Sequence, residues 1–239
     1  MEMYERYQVL NTLYEKLPDR NSRIRTGCTV STIEQDQSGV TVHVEGGEEV
    51  KGDIVIGADG VHSKVREIMW MHAKAHISNE ADRVNYKTRE YSCKWLCFRF
   101  RLSCTELTTR YKCLFGLSEP LPHEEEGAMI ETHNEGFSFH IFVLRDLTAW
   151  FLYKKLEKPV TWPDRTYYTE ADAAALAEEH GSCQVTKRTR FKDLWESRRR
   201  TRLAGIEEGV QSRWHSGRIV LLGDAAHKVG LLLQPLDCC

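Results

Sequence analysis

Several features that would classify a chain at once are missing from this one. No apolar stretch approaches the roughly 18 residues a membrane-spanning helix needs; Ile219-Val220-Leu221-Leu222 and Leu231-Leu232-Leu233 are far too short. The opening MEMYERYQVL has neither a basic start nor a hydrophobic stretch, so it does not read as a secretory signal. None of the 16 glycines stands two positions from another, so the G-x-G-x-x-G turn that cradles dinucleotide phosphates is absent. Neither sign of charge prevails: 33 Lys and Arg against 35 Asp and Glu leave a formal net charge of -2. That balance excludes a protein that binds nucleic acid mainly through global charge. Hydrophobic content of 41% excludes wholesale disorder. The eight cysteines include no C-x-x-C pair, and Cys93, Cys97, Cys104 and Cys113 match no common zinc spacing. Reduced thiols and no metal site are expected, in a soluble, cytoplasmic protein.

What is present begins with a predicted amphipathic helix. Tyr7, Leu10, Leu13, Tyr14 and Leu17 recur at spacings of three and four, and Pro18 stops the pattern. A strand is predicted near Ile24. A hairpin follows, in which Val40, Val42 and Val44 alternate with polar residues before the Glu45-Gly46-Gly47-Glu48 turn. Residues 53 to 70 read as strand, tight turn and helix. Phe137 to Val143 and Ala149 to Tyr153 read as an antiparallel pair, and Thr169 as a helix cap with Asp172 at the third helical position. Residues 187 to 202 are strongly basic and are expected to form a solvated face. Arg218 to Leu222 is a strand that breaks at Gly223.

Two segments share one design: an apolar strand, a glycine turn holding an aspartate, then small or capping residues expected to open a helix. The first is Gly57-Ala58-Asp59-Gly60-Val61-His62-Ser63-Lys64-Val65-Arg66, and the second is Gly223-Asp224-Ala225-Ala226-His227. Glycine lets a backbone approach a ligand closely, and a helix N-terminus offers N–H groups to phosphate. An aspartate at a strand end accepts hydrogen bonds from sugar or polyol hydroxyls.

The pair, about 165 residues apart, resembles the FAD-dependent aromatic-hydroxylase-like monooxygenases, which carry GADG-x-x-S-x-V-R and later G-D-A-A-H. Glu5-Arg6-Tyr7-Gln8-Val9-Leu10 is similar to that family's arginine-containing helix. Lys112 to Ser118, Phe137 to Val143 and Trp150 to Leu156 are similar to fungal members that hydroxylate or epoxidise terpenoid and meroterpenoid intermediates. The resemblance implies an α/β fold, α+β in the substrate part: an incomplete Rossmann-like FAD-binding domain interleaved with a mostly antiparallel substrate sheet. It places parts of the FAD-binding domain at 1–70 and 187–239, without its first βαβ unit, and the substrate sheet at 71–186. It implies FAD and NADPH as cofactors, molecular oxygen as the oxygen donor, and a small hydrophobic substrate. Asp224 would accept from flavin ribityl or ribose hydroxyls, with Gly223, Ala225 and Ala226 small beside the cofactor. Asp59 and Gly60 would line the pyrophosphate and nicotinamide face, and Arg6 would offer a charged fork. A tyrosine before Lys112-Cys113 would be the substrate-side proton donor or orienter.

Three departures accompany the resemblance. The family's opening strand and its G-x-G-x-x-G turn are missing, and the chain departs from the family after Val229. Residues 92–111 interrupt the family pattern, so they and the tail after Val229 are expected to be translated intron. That leaves the tyrosine as Tyr91 or Tyr111. As a truncated chain it is expected to bind FAD poorly, to be inactive and to leave apolar surface uncovered. The competing readings are a non-catalytic remnant or partner of an intact homologue, and a module binding through the basic run. Membrane association of a longer form stays open.

Overall fold

A computed structural model describes residues 6–75, 107–162 and 164–228. Tyr91, residues 92–106 and the tail from Val229 lie outside the described residues. The chain divides into two compact units. One comprises Thr108–Glu207 with the N-terminal helix; the other comprises the described parts of Asp19–Leu107 and Glu208–Val229. The fold is mixed α and β with mainly antiparallel sheets, as the sequence predicts. The predicted first helix forms as α1 (Arg6–Lys16). None of its residues is buried, and Tyr7, Leu10 and Leu13 are each more than half exposed.

In the second unit, the short α2 (Arg20–Arg23) precedes a meander of β1 (Val30–Gln35), β2 (Val40–Val44) and β3 (Glu49–Gly52). The predicted hairpin turn is there, with Gly46 at φ 101° and Gly47 at φ 90°, a region that favours glycine. The strand expected near Ile24 is not. β1 begins at Val30, opposite Val44, where β2 ends at the turn, so Ile24 has no β2 residue to pair with. β4 (Val55–Gly57) and β11 (Ile219–Leu221) then pair in parallel, Val55 with Ile219 and Gly57 with Leu221. With β10 (His215–Ser216) they form a sheet in the order β10-β11-β4.

Helix α3 (Lys64–Ala75) covers one face of that sheet through Val65, Ile68 and Met69, packed with Ile219, Leu221, Ile33 and Val40. A Cβ on Gly57 would lie 2.7 Å from Val65 Cγ1, so only glycine lets strand and helix approach this closely. Elsewhere in the unit, Ile54, Ile56 and Leu222 are 60%, 63% and 60% exposed. Arg218 ties the meander to this sheet. Its backbone N–H donates to Gln35 Oε1 (2.6 Å), and its guanidinium donates to the carbonyls of Asp36 (3.1 Å), Gln37 (2.6 Å) and Asp53 (3.1 Å).

The first unit is an antiparallel sheet covered by helices. Its strands are β5 (Thr108–Ser118), β6 (Met129–Asn134), β7 (Phe137–Val143), β8 (Thr148–Thr161) and β9 (Arg198–Val210), whose residues from Glu208 on belong to the second unit, in the order β9-β5-β8-β7-β6. The predicted pairing of residues 137–143 with 149–153 is β7 on β8. Residues 108–111, the end of the segment read as an insertion, start β5 and pair with β8 across a bulge. One sheet face carries Leu114, Phe139, Ile141, Trp150 and Leu152, and packs on α4 (Glu170–His180) and α5 (Phe191–Glu196) through Leu176, Ala177, Phe191 and Leu194. In the basic run, Arg199 pairs with Glu119 and Arg198 stacks 3.9 Å over the Trp195 ring.

Thr169 caps α4 as predicted. The Asp172 N–H donates to Thr169 Oγ1 (3.2 Å), while Asp172 Oδ2 accepts from the Thr169 backbone N–H (2.7 Å). The backbone N–H and hydroxyl of Thr169 hold the Asp172 carboxyl below the ordinary carboxylate range. Its folded pKa lies below its unfolded one, so its stabilising contribution is present above the unfolded value, about 3.9, and fades as pH falls through the folded value. Thr169→Ala is expected to lower stability by about 1 kcal/mol in urea unfolding at neutral pH. The difference between Asp172→Asn and the parent should vanish in acid; a gap that persists there would contradict the cap.

Candidate functional site

The parallel pairing of β4 with β11 brings the two glycine–aspartate turns together at the C-terminal ends of adjacent strands, where open α/β sheets bind ligands. The Leu222 N–H donates to the Gly57 carbonyl (2.9 Å), extending the pairing into both turns. Gly60 has φ 82° and Gly223 φ 61°. Where a side chain would begin at either glycine there is no other atom within 4 Å, so both turns border open space.

Arg66 locks the turns to each other. Its side chain is buried, with Nη1 donating to the Ala225 carbonyl (3.0 Å) and Nη2 to the Val61 carbonyl (2.6 Å). One guanidinium therefore spans both motifs. Nothing in its spacing announced this role, although Arg66 closes the first motif.

Asp59 turns toward α3. Its Oδ1 accepts from Ser63 Oγ (2.5 Å) and its Oδ2 from the Val65 N–H (3.0 Å), while Ser63 Oγ accepts from the Arg66 N–H (2.9 Å). The first turn of α3 is thus capped by the chain's own carboxylate. The expectation that this helix N-terminus offers N–H groups to phosphate is corrected: a negative group already sits there.

The second turn also differs from expectation. Gly223–Ala225 make a single 3-10 turn, and β12 (His227–Lys228) follows in place of a helix, pairing with Val210 and Gly209 at the end of β9. The strand end of β9 offers His227 and Lys228 backbone partners, and the pairing leaves no run of residues to start a helix. Ala225 and Ala226 are buried, and the Asp224 side chain is about half exposed with Lys228 Nζ 3.9 Å away.

These features fit part of FAD. The Gly223–Asp224 turn, with an outward carboxylate beside open space, suits the hydroxyls of a polyol or ribose. The capped start of α3 does not suit the diphosphate. Of the cofactor residues expected from sequence, Asp59, Gly60, Gly223, Asp224 and Ala225 share this one turn pair. Arg6 is the first residue of α1 and is exposed.

Tyr111 lies on β5 opposite Lys155 of β8. The registers arrange the sheet face away from the helices into rows. Cys113, Tyr153, Ser138 and His133 lie side by side, one step beyond Tyr111 and Lys155. Next come Phe115, Phe151, His140 and Glu131, then Leu117, Ala149, Phe142 and Met129. Burial pushes the Cys113 thiol up to about 12, opposed by its hydrogen bond with Tyr153. Burial also raises the Tyr153 phenol and lowers the His140 imidazole, the latter opposed by Glu131. All three stay neutral at pH 7. Sequence reading identified these strands but gave Ser138, His140 and Tyr153 no role. The only signal was a serine and a histidine at alternate positions of an otherwise apolar strand.

Residues 1–93 match the family described as FAD binding domain. The chain is 36% identical over 227 residues to the FAD-dependent monooxygenase DEP2 of Alternaria brassicicola, covering 94% of this chain and 39% of that protein. It is 35% identical over 228 residues to the FAD-dependent monooxygenase cle3 of Aspergillus versicolor, covering 94% and 43%. The chain therefore spans about two fifths of the length of these relatives. In fold it is similar to a variant of HpxO from Klebsiella pneumoniae solved in complex with FAD, at 20% identity and a TM-score of 0.63, covering 94% of this chain and 49% of that one.

Proposed function

This chain belongs to the FAD-dependent monooxygenases, as a homologue of part of their length, and from that premise we propose what its two units contribute to such an enzyme. The reaction is hydroxylation or epoxidation of a hydrophobic, terpenoid- or meroterpenoid-like secondary metabolite, with NADPH as reductant. Electron uptake from NADPH and activation of molecular oxygen are the chemistry that FAD supplies when bound.

The observation that carries the reading is the joined pair of glycine–aspartate turns. Asp224 accepts hydrogen bonds from the cofactor's sugar or ribityl hydroxyls, and Gly223 and Ala225 keep the backbone accessible beside it. Gly60 lines the other turn, and Asp59 holds that turn against α3. Arg6 offers a guanidinium to the nucleotide. On the substrate side, Tyr111 orients the substrate and holds or gives a proton at its phenol oxygen; Tyr91 is the alternative. The sheet face around it shields the reacting atoms from water.

Because the start of α3 is closed to a diphosphate, these 239 residues alone should bind FAD weakly and show no turnover. Titration of the chain with FAD, followed by quenching of flavin fluorescence, tests both statements. Weak saturable binding is expected, reduced about tenfold further in Asp224→Ala, as loss of a hydrogen bond to a charged group implies. A stoichiometric yellow complex that survives gel filtration would overturn weak binding. Equal affinity in Asp224→Ala would remove Asp224 from the cofactor site.

A further inference from the structure

Among the described residues, two polar atoms on the sheet face of the first unit have no hydrogen-bond partner. They are Ser138 Oγ and His140 Nε2, and both residues are buried. Leaving a buried donor or acceptor unmade costs about 1–3 kcal/mol each, and these two sit at successive outward positions of one strand. Their neighbours do not relieve them. Glu131 Oε1 lies 3.9 Å from the other ring nitrogen of His140, beyond hydrogen-bond reach. The Tyr153 ring meets the imidazole at 5.1 Å between centroids, at a steep interplanar angle of 62°.

Beside these polar groups the same face is aromatic. Phe115 and Phe151 stack at 6.2 Å, and Phe142 meets Phe151 edge-on at 5.8 Å. Exposure rises toward that end, with Phe115 36% and Met129 46% exposed. An apolar, partly open patch thus borders the buried polar groups of Ser138 and His140. We infer that this face takes a ligand with a flat or branched hydrocarbon body and one oxygen function, a hydroxyl or carbonyl. The body lies on Phe115, Phe142 and Phe151, and the oxygen meets Ser138 Oγ and His140 Nε2. The neutral imidazole and the hydroxyl can each donate or accept, so either oxygen function completes both groups and offsets the cost of burying them. Ser138 and His140 are then specificity-determining residues. This inference rests on the proposed placement of substrate at this sheet.

The test needs no flavin, so its failure and a failure to bind FAD are separate results. Equilibrium dialysis of the chain against 2-naphthol and against 2-methylnaphthalene compares two bodies of one size, only one of which bears oxygen. Ser138→Ala and His140→Phe should each weaken 2-naphthol about tenfold, the worth of one hydrogen bond, and leave 2-methylnaphthalene unchanged. Phe151→Ala should weaken both alike. Circular dichroism and urea midpoints establish that each variant folds, and Ser138→Ala carries the test alone if His140→Phe does not. The inference is overturned if the parent binds neither compound. It is equally overturned if the serine variant holds 2-naphthol as tightly as the parent, or loses both compounds together.

Discussion

Arg66→Ala is expected to lower the free energy of unfolding of the second unit by about 3 kcal/mol, and to disorder both glycine–aspartate turns together. The buried guanidinium donates to the carbonyls of Val61 and Ala225, one in each motif. Alanine leaves both without that partner and opens a cavity beside Ala225. Arg66→Lys should recover only part of the loss, because a single ammonium cannot match the fork of a guanidinium spanning two carbonyls. Hydrogen exchange reads the outcome directly. The Leu222 amide, bonded to the Gly57 carbonyl, should lose protection in Arg66→Ala, while amides of β7 in the first unit keep theirs. Unchanged protection at Leu222 would mean that strand pairing alone holds the turns together.

The second large effect lies in the first unit. A Cβ on Gly116 would overlap the six-membered ring of Trp150, which is fully buried against Phe191. The indole cannot retreat freely. Its Nε1 donates to Ser118 Oγ (2.7 Å), and that hydroxyl donates to the Leu194 carbonyl (2.6 Å), tying β8 through β5 to α5. Gly116→Ala should therefore destabilise the unit by about 2–3 kcal/mol. Trp150→Phe removes the ring atoms in the way and also the N–H. Its own cost should be several kcal/mol, but adding Gly116→Ala to it should cost little more. A double-mutant cycle in urea should show that coupling. Additive losses would mean that the strand, and not the indole, resists the methyl group.

Features set by near neighbours were readable in the sequence. Gly46-Gly47 demanded a tight turn, and Thr169 with Asp172 spelled a capping box. The alternation from Phe137 to Val143 announced a strand. The two glycine–aspartate turns were visible as motifs, but the parallel pairing that joins them links residues more than 160 positions apart, and no local pattern encodes it. The turn of Asp59 toward α3 depends on Ser63 and Val65 meeting it there, which residue spacing permits but does not require. His227 and Lys228 became a strand because β9 ends beside them. Ser138 and His140 looked incidental until register showed that they share a face with Tyr153 and Cys113.

The alternation along β7 also bears on how this protein can change over generations. Phe139 and Ile141 face the helices, while Ser138, His140 and Phe142 face the other way. A single-codon insertion or deletion within the strand would exchange the two sets, putting a histidine into the core and phenylalanine on the opposite face. Such a length change would disturb the proposed recognition face and the core at once. New ligand preferences are therefore reached by substitution at outward positions, each open to change while its inward neighbours stay fixed. Lengthening is left to the connections beyond the strand ends.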